Sequence, residues 1–137
     1  MKALVIALFT LLVGTSAAQA ADTASVTPPS SDRLTGKWSG PWSSHRSNGQ
    51  MEIEVRSVEN GRIAGRVKVT YGGQTNCSTV WEKLAGTQNV ETIAVHYDLG
   101  GSCGKVDATF FVNAESTASG TWSNQYGTSG PLRLTKQ

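Results

Sequence analysis

Few residues in this 137-residue chain have the types and spacing that metal binding requires. His96, Asp98 and Asp107 could meet on one face of two neighbouring strands, where they would form either a divalent-metal patch or an ordinary solvated surface. The other histidine, His45, lies in a segment rich in serine and asparagine, and no paired-histidine spacing typical of zinc sites occurs. The sequence therefore predicts neither a metal nor another cofactor.

Motifs for nucleophilic catalysis are also missing. No serine lies in a Gly-x-Ser-x-Gly motif, no cysteine is paired with a histidine, and no glycine-rich loop has the spacing that holds nucleotide phosphates. We therefore expect a protein without catalytic residues, one that is not an enzyme.

Aromatic side chains are the feature that could bind a ligand. The strand pattern of the chain predicts an eight-stranded β-barrel. Tryptophan and tyrosine combine a large apolar ring with a polar group, which suits a small amphipathic molecule in the mouth of such a barrel. The alternative is that these rings only fill a packed interior, because an eight-stranded barrel is just wide enough for its own side chains. The predicted ligand-binding residues are drawn from Trp38, Trp42, Tyr71, Trp81, Tyr97, Phe110 and Trp122.

The segment 34–42 predicts the strand that begins this barrel. Its even positions, which are apolar or glycine, share one face and are expected to point inward. A glycine two residues before a buried tryptophan, as in Gly36 and Trp38, fits the narrow end of a closed sheet. Gly120 and Trp122 repeat the spacing near the other end of the chain.

The next two strands alternate apolar and charged residues, and this pattern predicts how they pair. A two-residue turn at Asn60 and Gly61 would set apolar residues opposite charged ones, so we predict a three-residue loop, 59–61, with Gly61 in a bulge. The resulting pairs are Ile53 with Val67, Met51 with Val69, Glu54 with Arg66 and Glu52 with Lys68.

Five further strands are predicted downstream. The fourth runs from Cys77 to about Leu84, with a bulge. Phe110 is expected opposite Trp122, and Trp122 opposite Leu134 across a loop at 127–129. The inward residues of strands five and six are Ile93, Val95, Tyr97 and Leu99, and Val106, Ala108, Phe110 and Val112.

No helical periodicity continues past two turns, so the fold is predicted to be all-β. Closing the sheet would remove both of its edges. We therefore predict an eight-stranded antiparallel up-and-down barrel.

The N-terminal residues predict export. Lys2, an apolar run over residues 3–13 and Ala18-Gln19-Ala20 form a signal peptide, residues 1–20. Residues 21–33 are expected to be a flexible tail ahead of a single barrel domain, 34–137. The mature chain would be periplasmic or extracellular, soluble and without a membrane span. It would hold eleven basic and ten acidic residues, a balance that gives no reason to expect nucleic acid as a partner.

The two cysteines, Cys77 and Cys103, are predicted to form a disulfide, because an exported chain with an even cysteine count favours one. Both cysteines are expected at the same rim of the barrel, separated by strand five. Because one intervening strand holds neighbouring chains about 9–10 Å apart, the glycine-rich loop at 100–105 must curl over the rim to join them.

The segment 34–38 (Leu-Thr-Gly-Lys-Trp) resembles the first strand of the avidin-type barrels, within the wider calycin group that includes lipocalins. Segments 86–89 and 121–126 are similar to other short pieces of avidin and streptavidin. The resemblance implies a calycin-like barrel that holds a small ligand. In the biotin-binding positions of the first strand, Ser44 matches the family, whereas Gly40 replaces its asparagine.

A second resemblance is to bacterial periplasmic metalloprotease inhibitors, which combine a signal peptide, a small barrel, one disulfide and an N-terminal arm that enters the protease cleft. It implies that residues 21–33 could be such an arm. The sequence thus predicts a non-enzymatic binding barrel for a small amphipathic ligand, with secreted protease inhibition as the alternative. Its expected partner is a small molecule or a secreted protein, and the oligomeric state is left open.

Overall fold

A computed structural model of the chain describes residues 30–90, 92–114 and 116–137, and shows a closed antiparallel barrel in which each strand pairs with the next. The predicted signal peptide and most of the predicted tail lie outside these residues. The elements are α1 Ser31–Leu34, β1 Gly36–Ser43, β2 Asn48–Glu59, β3 Arg62–Tyr71, β4 Glu82–Asn89, β5 Thr92–Asp98, β6 Lys105–Ala114, β7 Thr117–Asn124 and β8 Ser129–Lys136. The predicted fold class is confirmed.

The first and last strands close the barrel. Trp38 pairs with Lys136, and Trp42 pairs with Leu132. Closure turns one face of every strand inward, so every second side chain along each strand points into one continuous apolar core.

Residues 31–33, predicted to belong to the flexible tail, lie in helix α1. Leu34 ends this helix and is buried beneath the barrel, and the Lys136 ammonium donates to the backbone carbonyls of Asp32 and Arg33. Residues 31–33 are therefore part of the folded structure. An apolar residue at position 34 covers this end of the core, which we call the base.

The four predicted residue pairs between β2 and β3 are confirmed, but the predicted three-residue loop is wrong. Asn60 and Gly61 form a two-residue turn in which both have positive φ, 51° and 73°. The extra residue lies instead in a bulge at Arg56, between the paired residues Val55 and Ser57. Asn-Gly is the preferred sequence for such a turn, so the mismatch moves into the strand.

The predicted start of the fourth strand is also wrong. Strand β4 begins at Glu82, and residues 72–81, including Cys77, form the connection from β3. Two glycines, Gly72 and Gly73, interrupt the ladder at the end of β3. The mixed apolar parity of Val80, Trp81 and Leu84 thus arises because the first two precede the strand.

Strands β6 to β8 pair in a different register from the predicted one. Phe110 lies opposite Gly120, and Trp122 lies between Ala108 and Gly130. Each of these two rings therefore has a glycine opposite it on one neighbouring strand, which leaves room for the ring inside the narrow barrel. A side chain on Gly120 would collide with the backbone of Phe110.

Candidate functional site

The two ends of the barrel differ in how they are filled. At the base, Leu34, Trp38 and Phe110 pack with aliphatic side chains around a void of only about 10 Å³. The opposite end, which we call the mouth, contains a cavity of about 630 Å³. That volume lies within the range of roughly 300–1,000 Å³ that is typical of small-molecule sites.

Three aromatic rings form one wall of the cavity. Trp42 stands near the end of β1, Tyr71 at the end of β3, and Trp122 near the end of β7. The Trp42 ring meets both others edge to face, with centroid distances of 5.3 Å to Tyr71 and 5.4 Å to Trp122. Such edge-to-face pairs are the preferred arrangement of aromatic rings, so the wall is held in one geometry.

Backbone hydrogen bonds fix the two indoles of this wall. The Trp42 Nε1–H donates to the carbonyl of Thr70 at 3.1 Å, and the Trp122 Nε1–H donates to the carbonyl of Ser43 at 3.1 Å. Because both N–H groups are engaged, the two tryptophans offer ring surface to a ligand.

The floor of the cavity is apolar except for one hydroxyl. It comprises Met51, Val69 and Val106 together with Tyr97, whose side chain is only 5% exposed. Burial raises the pKa of Tyr97 above its ordinary value, with smaller contributions from the nearby Tyr71 and Asp107. Tyr97 therefore presents a neutral phenol to the cavity.

The rim of the cavity is polar. Its side chains include Ser44, Ser47, Gln74, Asn124 and Thr128. Among the described residues that line the cavity, Arg46 alone carries a charge, and none is a carboxylate. A ligand would therefore meet apolar surface at depth and polar groups near the opening.

The disulfide between Cys77 and Cys103 is confirmed, and it joins two rim connections, 72–81 and 99–104. The two Cα atoms are 5.6 Å apart, although strand β5 lies between β4 and β6, the strands into which the two connections lead. The Ser102 N–H also donates to Asn76 Oδ1 at 2.8 Å, and the Ser78 N–H to the Leu99 carbonyl at 2.7 Å. These links hold one side of the mouth in place.

Tyr71 connects the aromatic wall to the disulfide. Its hydroxyl lies 3.3 Å from Sγ of Cys103 and must be the donor, because a disulfide sulfur has no hydrogen. Burial raises the pKa of Tyr71 to about 12. Its hydroxyl is therefore protonated at neutral pH and occupied by the sulfur.

The seven aromatic residues predicted to bind a ligand separate into three groups. Trp42, Tyr71, Tyr97 and Trp122 line the cavity, whereas Trp38 and Phe110 pack at the base. Trp81 lies outside the cavity, with the Arg66 guanidinium 4.4 Å above its ring. Arg66 in turn makes an ion pair with Glu54 on the outer face.

Apart from Ser44, which the avidin resemblance indicates, sequence reasoning missed the rim residues and the aliphatic floor. Met51, Val69 and Val106 were placed on inward faces, but an inward position alone does not separate a cavity wall from a packed core. The distinguishing signal is position along the strand, since all three occupy the mouth half of their strands.

The histidine and aspartates considered as a metal patch do not gather into one. His96 pairs with Asp107 across β5 and β6, whereas Asp98 lies opposite Lys105 and accepts the Gly100 N–H at 2.8 Å. Across residues 30–90, 92–114 and 116–137, no group of three or more histidine, cysteine or acidic side chains could hold a metal ion. None of the helices in these ranges is both long enough and apolar enough to cross a membrane.

No protein-family model matches the chain, and no curated protein matches it significantly. Solved structures do match. A redesigned β-barrel, mFAP1, bound to DFHBI has a TM-score of 0.63 and 9% identity, and the alignment covers 77% of this chain and 96% of that one. EF1p2_mFAP2b bound to DFHBI has a TM-score of 0.61 and 10% identity, and the alignment covers 77% of this chain and 95% of that one. The redesigned barrel b11L5F_LGL has a TM-score of 0.57 and 15% identity, with 77% of this chain and 93% of that one covered.

At these identities the similarity concerns the fold alone. It supports a small β-barrel and does not select the avidin or calycin families. What the chain shares with the matched structures is the barrel architecture.

Proposed function

We propose that this protein is an exported, non-enzymatic barrel that binds a small amphipathic ligand in the cavity at its mouth. The observation that carries the proposal is the contrast between the two ends, since the base is packed while the mouth holds a cavity of about 630 Å³. A barrel that served only as a rigid scaffold would have no need of this space, because its own side chains could fill it.

The lining of the cavity supports an amphipathic ligand. Trp42 and Trp122 offer ring faces, the floor is aliphatic, and the rim carries serine, asparagine and one arginine, Arg46. Two of the structurally similar barrels are described as bound to DFHBI, which adds support for a ligand in this kind of interior.

The general test is native mass spectrometry of the protein purified from its own host. We expect a mature chain that begins at Ala21 and carries a small molecule, released on denaturation. A chain that retains residues 1–20 would contradict export, and a chain repeatedly isolated without a ligand would weaken the binding proposal.

A sharper test compares two tryptophans with the apolar fluorescent probe N-phenyl-1-naphthylamine. Trp38 and Trp122 each donate Nε1–H to a backbone carbonyl, but only Trp122 lines the cavity. Trp122→Leu is expected to weaken probe binding about fivefold or more, because a ring contact of about 1 kcal/mol is lost. Trp38→Leu is the matched control and is expected to lower stability while the affinity stays close to wild type.

Both variants are compared at a temperature at which circular dichroism shows them folded. If the wild-type protein does not bind the probe, or if the two variants weaken it equally, the cavity is not the site.

Protease inhibition through the N-terminal arm remains the alternative proposal. The chain enters the barrel at the base, where Leu34 is buried, so an arm and the cavity would act from opposite ends. Removal of residues 21–29 is expected to leave probe binding unchanged. If the same truncation abolished inhibition of a co-secreted protease, the arm would carry the function.

A further inference from the structure

Among the residues that form the floor of the cavity, Tyr97 alone has a polar side-chain group, its hydroxyl. Within the part of the chain that the structure describes, it makes no hydrogen bond, although its side chain is only 5% exposed. The hydroxyl oxygen is not fully enclosed either. Among the described residues, the one fully enclosed side-chain nitrogen or oxygen without a hydrogen-bond partner is Arg33 Nε. The Tyr97 oxygen, which also has no partner, must therefore have some accessible surface. The hydroxyl therefore remains open to the cavity.

The other polar groups of the inner cavity are already engaged. The indole N–H groups of Trp42 and Trp122 bond to backbone carbonyls, and the Tyr71 hydroxyl faces Sγ of Cys103. A ligand that reaches the floor thus finds one unpaired hydrogen-bonding group.

We infer that Tyr97 selects, in the proposed ligand site, aromatic molecules that carry a neutral hydrogen-bond acceptor, a carbonyl or a ring nitrogen, at the end that enters first. This inference rests on the proposed function. The aromatic class follows from the wall of three rings, and the acceptor follows from the phenol, which stays protonated and can donate.

The charge of the ligand is limited by the same lining. A carboxylate at the inner end would be buried among aliphatic side chains with a single hydroxyl as its partner, which leaves most of its desolvation uncompensated. A cation would find no carboxylate among the described lining residues. The inner end is therefore neutral, and any negative charge belongs at the rim near Arg46.

Tyr97 should act mainly by weakening the binding of aromatic ligands that lack the acceptor. Such a ligand would cover Tyr97 and leave a buried hydroxyl unpaired, which costs more than a neutral contact gains. Water at this floor would have few polar partners besides the phenol, so a ligand that replaces it loses little.

The experiment uses 9-fluorenone and fluorene, which have nearly the same planar shape and differ in one carbonyl group. Equilibrium dialysis measures both dissociation constants for the full mature protein, and their ratio is compared between variants because the two probes differ in hydration. Tyr97→Phe is expected to shift the ratio about five- to tenfold against fluorenone.

Tyr126→Phe is the matched control, since it removes a hydroxyl from a ring that is 60% exposed and does not line the cavity. We expect it to leave the ratio as in the wild type. If both probes bind and Tyr97→Phe leaves the ratio unchanged, or if Tyr126→Phe shifts it equally, the inference is overturned while the ligand-binding proposal stands. If neither probe binds the wild-type protein, both fall together.

Discussion

Three tryptophans of the interior share one local arrangement, in which the indole N–H donates to a backbone carbonyl. The N–O distances are 2.9 Å for Trp38 and 3.1 Å for Trp42 and Trp122. A buried indole without a partner would be destabilising, so these bonds fix where each ring can lie. The same type of hydrogen bond therefore fixes Trp38 in the packed base and Trp42 and Trp122 in the wall of the cavity.

At the residue scale, the half-buried Tyr71 and the buried Tyr97 predict how stability depends on pH. The pKa of Tyr71 is raised to about 12, and that of Tyr97 is raised as well, in both cases by burial. Between pH ~10 and 12 the folded protein thus keeps protons that the unfolded chain loses. The contribution of the neutral phenols is complete below pH ~10 and is lost as the pH rises through the folded-state values.

Urea unfolding at pH 8 and pH 11 measures this loss. Tyr71→Phe combined with Tyr97→Phe is expected to reduce the difference in unfolding free energy between the two pH values. Tyr126→Phe is the control, because that ring is 60% exposed. Equal differences in all three proteins would show that other groups dominate the alkaline transition.

At the element scale, glycines let neighbouring strands approach where the large rings need space. A Cβ atom on Gly49 would overlap the Thr70 carbonyl oxygen and come within 2.8 Å of Trp42 Nε1. These are the two groups joined by the indole hydrogen bond that fixes the wall. Gly49 thus positions Trp42 without itself contacting a ligand.

We predict that Gly49→Ala lowers stability by about 1–3 kcal/mol, because the added methyl group overpacks this contact. It should also weaken N-phenyl-1-naphthylamine binding by displacing Trp42. Gly73→Ala is the matched control at the rim, where an added Cβ meets no atom within 4 Å, and a change within about 0.5 kcal/mol is expected. Denaturant unfolding and probe titration of both variants decide the matter, and similar losses in the two would refute this role.

The elements also show how far the sequence could be interpreted. Period-two alternation predicted the inward faces, and the β2–β3 pairs followed from matching apolar with apolar residues. The bulge had a visible signal that we missed, because Val55 and Val58 differ in parity yet both pack against the core. The alternation of apolar and polar residues predicts which face of the sheet a side chain occupies. The register between two strands depends also on the sizes of the side chains that lie opposite each other, as the pairing of Trp122 with Gly130 shows.

The cavity could not be predicted in the same way. Inward aromatic residues at the base and at the mouth have the same sequence pattern, and what separates them is whether a helix or open loops cover the end of the barrel. Leu34 covers the base, while the connections at the mouth are joined by the disulfide and leave a cavity of about 630 Å³. The location of the cavity is therefore decided by contacts between segments far apart in sequence.

At the scale of the whole molecule, the disulfide links stability with the shape of the mouth. It joins cysteines that are 26 residues apart in sequence. A disulfide that closes a loop of this length stabilises a folded domain by roughly 3 kcal/mol. It also anchors the rim connections and, through Cys103, the Tyr71 ring of the aromatic wall.

Replacing both Cys77 and Cys103 by alanine is expected to lower the melting temperature by on the order of 10–20 °C, because each kcal/mol corresponds to about 4–8 °C in a domain of this size. Probe affinity should fall as well, since the rim connections lose their covalent link. Dithiothreitol should lower the melting temperature of the wild type and leave that of the double variant unchanged. A double variant as stable as the wild type would contradict the prediction.

Both chain ends of the described barrel lie at the base. Helix α1 begins at Ser31 beneath the core, and the Gln137 N–H donates to the Lys37 carbonyl beside it. Tethering at either end, to a surface or to a fused domain, would therefore leave the mouth facing away from the attachment point. Under the proposed function, a module added at either end would leave the exchange of ligand with solvent unobstructed.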